Sequence, residues 1–318
     1  MDSLEFPAVT DHRFAEVLQK KLPKIEQTFG LSVSLRGDKI IYDGPPVRRS
    51  AFKKFIRQVF EINREKGTIT ENELDISLNL FQQSPAPSLR REILEDPVFL
   101  TINGIEVHPK TVNQKKYLQS IREHDLVFAI GPAGTGKTFL AIAMALHYLF
   151  RKKVDRIVLT RPVVEAGENL GFLPGDIKQK VNPYFRPLYD ALYSLIGIEK
   201  SQELIEREII EIAPLAYMRG RTIDHSFIIL DEGQNTLNSQ MKMFLTRFGQ
   251  NSKVIVTADT SQIDLPREKK SGVILARNIL RNIREIAFIS LTSRDVIRHS
   301  LVQKIIDSYQ MFQKKKGS

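Results

Sequence analysis

The apolar positions of the first eighty residues change period twice. Phe14, Val17, Leu18, Leu22 and Ile25 recur at helical spacing, and Leu31, Val33 and Leu35 then alternate like one face of a strand. Arg36-Gly37-Asp38 reads as a turn into a second strand over 39–42, closed by Asp43-Gly44-Pro45-Pro46. A further helix sets Phe52, Phe55, Ile56, Val59 and Phe60 on one face and Arg48, Arg49, Lys53, Lys54 and Arg57 on the other. Residues 82–97 hold three prolines and no period, which predicts a linker. Two apolar runs, 98–102 and 105–107, flank Asn103-Gly104 and predict a hairpin. From residue 111 the pattern becomes continuous apolar runs at 126–130, 156–160, 226–230 and 253–257 with helical segments between them. Uninterrupted runs of this kind suit parallel strands covered on both faces. The expectation is an α/β core with a parallel sheet over 111–318, a small α+β domain over 1–81, and a linker with a hairpin over 82–110.

Composition narrows the chemistry. With 42% apolar and 26% charged residues the chain can bury a sizeable core. The absence of cysteine excludes disulfides, cysteine–zinc and iron–sulfur sites and thiol catalysis. No stretch approaches the roughly 20 apolar residues of a membrane helix. The start, MDSLEFPAVTDH, is acidic and has no apolar region of the signal-peptide type, so a cytoplasmic protein with no membrane partner is expected. The net charge is +10; residues 1–110 balance, so the whole excess lies in 111–318, part of it in Lys314-Lys315-Lys316. Such an excess is compatible with a polyanionic partner. The six histidines form no ligand-spaced pair.

Gly131-Pro132-Ala133-Gly134-Thr135-Gly136-Lys137-Thr138 fits G-x-x-x-x-G-K-[ST] between the run 126–130 and a helical segment. That context is what phosphate binding needs. Glycines let backbone N–H groups curl around phosphate oxygens, and the helix N-terminus adds its dipole. Lys137 is expected to reach the β- and γ-phosphates, and the Thr138 hydroxyl to bind Mg²⁺. The run 226–230 ends in Asp231-Glu232. Asp231 would hold Mg²⁺ through a water, and Glu232 would polarise the attacking water. A water-activating glutamate argues for hydrolysis of ATP and against a small-molecule kinase. After the run 253–257, Gln262 is placed to sense the γ-phosphate. Gln114, with Tyr117 three residues on, could read an adenine edge and stack on the base, or could simply start a helix.

GPAGTGKT, RPVVEAGENLGFLPGDI, PYFRPLYDAL, PLAYMRGRTI, FIILDEGQN and DVIRHSLVQ together resemble the PhoH-like family of P-loop ATPases, over residues 111–309. The resemblance implies a RecA-like P-loop NTPase core akin to the first core of superfamily 1 helicases. It further implies that Gln114 is a Q-motif glutamine, Asp231-Glu232 the Walker B pair and Gln262 the motif III glutamine. Arg161 would follow the motif Ia strand, where helicases touch single strands. Gly233 and Ala258 depart from the family, which usually has Ala and Gly there. Residues 11–80 resemble the KH-like domain of one branch, although the place of its GXXG loop holds Lys20-Lys21-Leu22-Pro23. The basic helix face Arg48–Arg57 is the alternative surface for RNA. Nothing supplies the acidic cluster of a nuclease domain.

Residues 111–318 have room for one nucleotide-binding core and an insertion over 165–221. A single core lacks the arginine that a second core gives to the γ-phosphate, a contribution of about 10³–10⁵ in rate. A neighbouring copy is therefore expected to complete the site in a head-to-tail ring, with a hexamer favoured by resemblance to other single-core motors. Arg298 is the first candidate for that arginine, with Arg219 and Arg221 behind it. In the insertion, Tyr184, Phe185, Arg186 and Tyr189 interleave aromatics with a base, a mix that stacks on bases or packs between subunits. RNA is the expected track, with helicase action the strongest form of that reading, and the resemblance implies a ribosome-maturation endoribonuclease as a partner. The rival reading is an ATP-driven regulatory or assembly switch with no nucleic-acid track.

Overall fold

The computed structural model describes residues 2–5, 12–37, 39–66, 69, 71–83, 99–101, 104, 106–163, 177–266, 270–297 and 305. For residues 12, 13, 66, 72, 83, 99, 100 and 177–182 it describes the backbone alone. The chain divides into two compact units, Met1–Pro97 with His108–Val112, and Val98–Val107 with Asn113–Ser318. No helix among the described residues is long and apolar enough to cross a membrane.

The first unit contains β1 (Asp2–Glu5), α1 (His12–Phe29), β2 (Ser32–Arg36), β3 (Lys39–Asp43), α2 (Pro46–Lys66) and α3 (Glu71–Gln83). Its sheet is antiparallel in the order β1-β3-β2. The helical-period residues Phe14, Leu18, Ile25, Phe52, Phe55, Ile56 and Val59 are all buried in one core, where Phe29 meets Phe52 and Phe55 at 5.5 and 5.2 Å between ring centroids. Lys20-Lys21-Leu22-Pro23 is not a loop. It lies inside α1, where Lys20 pairs with Glu71 at 2.9 Å and Lys21 with Asp75 at 2.7 Å on α3. The carboxylates that face α1 explain this: these lysines are spent on helix packing, so a GXXG-type clamp does not form there.

In the second unit a hairpin joins β4 (Phe99–Leu100) and β5 (Glu106–Val107). Phe99 pairs with Val107 and Leu100 with Glu106, while residues 98, 102 and 105 of the expected runs lie outside the described residues. There follow α4 (Val112–Glu123), β6 (Leu126–Ile130), α5 (Lys137–Phe150), β7 (Arg156–Arg161), α6 (Ile177–Ile196), α7 (Ile198–Glu206), β8 (Ile210–Pro214), β9 (Ser226–Leu230), α8 (Asn238–Leu245), β10 (Lys253–Ala258), α9 (Gly272–Leu280) and β11 (Ile286–Ser290). Six strands form one parallel sheet in the order β11-β6-β10-β9-β7-β8.

Alternate residues of each central strand feed opposite cores. Val127, Ala129, Phe227, Ile229 and Ile255 join α5 on one face, while Leu126, Phe128, Ile228, Leu230 and Val256 join α8 and α9 on the other. This two-sided burial is why the strands read as unbroken apolar runs. The architecture is thus α/β, a RecA-like P-loop core preceded by a small α+β unit.

Candidate functional site

In an open parallel sheet, polar chemistry collects beyond the carboxyl ends of the strands. Here β10 is inserted between β6 and β9, and the three end nearly level, with Ala258 opposite Ile130 and Val256 opposite Leu230. The loop after β6 and the acid pair after β9 therefore face each other across one strand, a gap of about 10 Å at the usual strand spacing.

The phosphate loop, 131–136, joins β6 to α5. Gly136 sits at the helix N-cap with φ +79°, a left-handed conformation that suits glycine. Gly131 is glycine because of its neighbour: a Cβ there would lie 2.5 Å from the Leu291 carbonyl oxygen. The Lys137 ammonium donates to the Gly131 and Pro132 carbonyls at 2.7 and 2.8 Å. From β11, Leu291 N–H donates to the Ile130 carbonyl and Ile297 N–H to that of Gly134, so the segment after β11 lies along the loop. Asp295, fully buried, caps that segment on Thr292 N–H and accepts from Asn113 of α4 at 2.9 Å.

Gln114 is 2% exposed and donates its amide N–H to the Thr135 carbonyl at 2.9 Å. Tyr117 is fully buried, and its hydroxyl donates to the Lys137 carbonyl at 3.3 Å. Burial pushes the Tyr117 phenol far above its ordinary pKa, so it stays a protonated donor. The Tyr117 ring is enclosed, with no open face.

Across the cleft, one oxygen of Asp231 accepts both the Thr138 and the Thr257 hydroxyls, each at 2.6 Å. Thr138 and Asp231 offer a hydroxyl and a carboxylate, an all-oxygen set that fits a hard ion such as Mg²⁺. Glu232, next along, has φ +52°, an uncommon backbone for a non-glycine residue and a form of strain that clusters at functional sites. Its carboxyl pKa is raised above the usual range, first by burial and then by the Asp231 charge; Gln234, Arg161 and Lys137 pull the other way.

Gln234, a partner of Glu232, and Asp259 beyond it escaped the sequence reading. Gln234, fully buried, donates to Glu232 and to the Gln262 carbonyl at 3.1 Å, while its own carbonyl accepts from Asp259 N–H at 2.9 Å. Asp259 in turn accepts Ala133 N–H of the phosphate loop at 2.8 Å. A continuous chain of hydrogen bonds thus runs from Glu232 through Gln234 and Asp259 to the loop. Polar side chains just after buried parallel strands were the available signal. Gly233 is packed tightly here, because a Cβ would approach Val256 Cγ1 to 2.8 Å.

Arg161, at the end of β7, lies 3.5 Å from Glu232 and 3.9 Å from Asp231, and donates to the Tyr184 carbonyl of α6 at 2.9 Å. It joins the insertion to the acid pair. Arg161→Gln removes a cation that favours ionised Glu232, so the acid limb of the pH–rate profile should move to higher pH. An unmoved limb would show that Arg161 does not act on Glu232.

The cleft, about 240 Å³, is lined by Lys137, Thr138, Asp231, Glu232 and Gln262 among others. Larger grooves lie beside Tyr189 and Tyr193 and beside Ile274 and Arg277, but neither holds this combination of groups. Arg221 forks onto Glu211 at 2.6 and 2.7 Å, and Arg219 is exposed. Arg298 lies outside the described residues. Phe185 is a core residue packed with Leu188 and Leu192.

Among solved structures, a Pif1 helicase from Candida albicans is similar with a TM-score of 0.34 and 14% identity, covering 62% of this chain and 42% of that one. The chain is 44% identical to a PhoH-like protein of Bacillus subtilis (strain 168) over 288 residues, 91% of this chain and 90% of the relative. It is 51% identical to a PhoH-like protein of Synechocystis sp. over 234 residues, 74% and 70% of the two chains. The family model described as PhoH-like protein matches residues 106–310, the stretch that holds the phosphate loop, the acid pair and the Asp259 loop. The chain belongs to the PhoH-like family.

Proposed function

We propose that the protein is an Mg²⁺-dependent ATPase whose turnover is coupled to RNA binding or remodelling and completed by a neighbouring copy in a ring. The observation that supports this best is the meeting of Lys137, Thr138, Asp231, Glu232 and Gln262 in one cleft beyond adjacent strand ends. The loop N–H groups and Lys137 bind the triphosphate, which requires the Lys137 ammonium to exchange loop carbonyls for phosphate oxygens. Mg²⁺ held by Thr138 and Asp231 would offset charge on the β- and γ-oxygens. Glu232 accepts the proton of the attacking water, and Gln262 and the Gln234–Asp259 chain tie its position to the phosphate loop.

Lys137 is the one cation among the described residues lining the cleft. The transition state therefore gains from an arginine of a second copy, with Arg298 the first candidate and a hexamer the favoured ring. An exposed apolar patch on α9 and the turn after it, Ile274, Leu275, Ile279 and Ile283, suits a subunit contact. A cytoplasmic site of action and an endoribonuclease partner in ribosome maturation go with this reading.

For RNA, the first unit offers the outer face of α2. Residues 46–60 contain five cations and no acid. Arg49 pairs with Asp2 and Arg48 reaches the Gly30 carbonyl, which leaves Lys53, Lys54 and Arg57 pointing to solvent. Reversing all three to glutamate should weaken single-stranded RNA binding at least ~10-fold and lower the salt slope by about 2, at roughly 0.7 per lost phosphate contact. Basal ATPase should not change. Equal affinity in the variant would remove α2 from the RNA surface.

The test of the whole reading is the steady-state ATPase rate with Mg²⁺, with and without single-stranded RNA, at low and moderate salt. Stimulation that fades with salt supports an RNA-coupled motor and justifies a strand-displacement assay. Turnover indifferent to RNA favours the switch.

A further inference from the structure

We propose that two unlike faces of the second unit, at opposite edges of the six-stranded sheet, bind each other between copies. The arginine-rich outer face of α9 on one copy seats in the tyrosine-lined, acidic groove between α6 and α7 of the next. This rests on the ring of the reading above and deepens it by naming both sides of the contact.

The first face combines apolar surface with unbalanced charge. Residues 272–284, α9 and the turn after it, carry Arg277, Arg281 and Arg284 and no acid. All three arginines are exposed, and none makes an ion pair or side-chain hydrogen bond among the described residues. Ile274, Leu275, Ile279 and Ile283 share this exposed stretch, Ile279 with 64% of its surface open. Arg277 and Arg281 also line a groove of about 650 Å³ with Ile286 and Phe288 of the edge strand β11. Arginine set among exposed aliphatic side chains has the make-up of a protein interface, because its weakly hydrated guanidinium is readily buried against an acid or a ring.

The second face is the complement of the first. A groove of about 760 Å³ between α6 and α7 is lined by Tyr189, Tyr193, Ile205, Asp190 and Glu206, with Arg186 as its one cation among the described residues. Asp190 and Glu206 are exposed and have no ion-pair partner among the described residues. The two tyrosine rings lie 6.0 Å apart between centroids. Aromatic rings and carboxylates are the groups that receive a guanidinium, by cation–π contact and by paired hydrogen bonds. Across residues 183–208 five acids outnumber three cations, and Glu203 holds two of those cations, Lys200 and Arg207. That balance repels a phosphate backbone, so it favours a basic protein surface over RNA bases as the occupant of the groove.

Position makes the contact head-to-tail. Val273 and Ala276 of α9 join the core on one side of the sheet, and Leu188, Leu192 and Leu204 of α6 and α7 join the core on the other. α9 leads into β11 and α7 into β8, the two edges of the sheet, which are five strand spacings or about 24 Å apart. One chain cannot bring these faces together, and two chains joined this way leave one face of each kind free. Such a heterologous contact continues until a ring closes.

Charge reversal on the full chain tests the pairing. One variant combines Arg277→Glu with Arg281→Glu, a second combines Asp190→Lys with Glu206→Lys, and a third carries all four changes. Sedimentation velocity over a range of protein concentrations, with Mg²⁺-ATP present, would give the size of the wild type, of each variant and of an equimolar mixture of the first two. In either of the first two variants alone, like charges face each other across the contact, so each should need at least ~10-fold more protein to assemble. In the mixture and in the four-fold variant opposite charges meet again, and assembly should return to that of the wild type. That recovery also shows that the variants fold. Wild-type assembly that both variants leave intact would overturn this contact while the ring stands. Loss of assembly in both with no recovery in the mixture or the four-fold variant would also overturn it, and would hand the two faces to RNA or to a different protein. A wild-type chain that hydrolyses ATP as a monomer would overturn the ring reading, and this contact with it.

Discussion

Glu232→Gln is expected to lower kcat for ATP hydrolysis by about 10²–10⁴, the usual worth of a positioned general base, while ATP binding stays within about threefold. The amide fills the same space and can still contact Gln234, but it cannot take a proton from water. The wild-type pH profile tests the same assignment. Burial and the Asp231 charge hold the Glu232 carboxyl above its ordinary pKa. A base with a raised pKa is active above that value and is lost as pH falls through it. The acid limb of kcat/KM, which reports the free enzyme, should therefore lie at higher pH than an exposed glutamate would give, with a flat rate above it. In Glu232→Gln the residual rate should lose that limb. A variant that hydrolyses ATP at the wild-type rate would move the base elsewhere.

The parts of the core legible in the sequence were those buried on both sides. The runs at 126–130, 156–160, 226–230 and 253–257 occupy the four interior positions of the sheet, where the middle residues of each strand are apolar on both faces and polar residues such as Arg156, Ser226 and Lys253 sit only at strand ends. The two strands not anticipated, β8 and β11, are its edges. Their burial is broken, and β8 mixes Glu211 and Pro214 into a short run, so the continuous signal fails there. In the first unit, Leu74, Ile76, Leu78 and Leu80 alternate as a strand would, yet they belong to α3. That helix is buried on several sides, with Ser77 and Phe81 inside as well, and all-round burial erases the 3.6-residue period.

The candidate site divides in the same way. The phosphate loop and the acid pair are local motifs, and their residue types carry their meaning in sequence. The chain from Glu232 through Gln234 and Asp259 to Ala133 is not local. It exists because β10 is inserted between β6 and β9, and no spacing along the chain announces that order. Gln114 shows the limit most plainly. A glutamine before a phosphate loop can serve a base or a backbone carbonyl, and its bond to the Thr135 carbonyl is visible only in the structure.

Lys137→Ala should abolish the stabilisation that nucleotide confers, for reasons that go beyond the missing contact with phosphate. The ammonium is nearly buried and bonded to two carbonyls of its own loop. It braces the loop before it meets the ligand, and alanine leaves those carbonyls to water through the open cleft. Two lost charge-assisted bonds to phosphate, at about 1.5–3 kcal/mol each, predict ATP at least ~100-fold weaker. At a concentration near 100 times the wild-type Kd, ligand should stabilise the wild-type protein by about 2.7 kcal/mol and the variant by less than about 0.5. Thermal unfolding with and without Mg²⁺-ATP reads this directly. Without nucleotide the two proteins should unfold within a few degrees of each other, because α5 is fixed by its buried apolar face from Leu140 to Leu146 and not by the lysine. A nucleotide-induced shift that survived the substitution would mean that the triphosphate binds elsewhere. A variant that melted far below the wild type without ligand would make the lysine chiefly a structural brace.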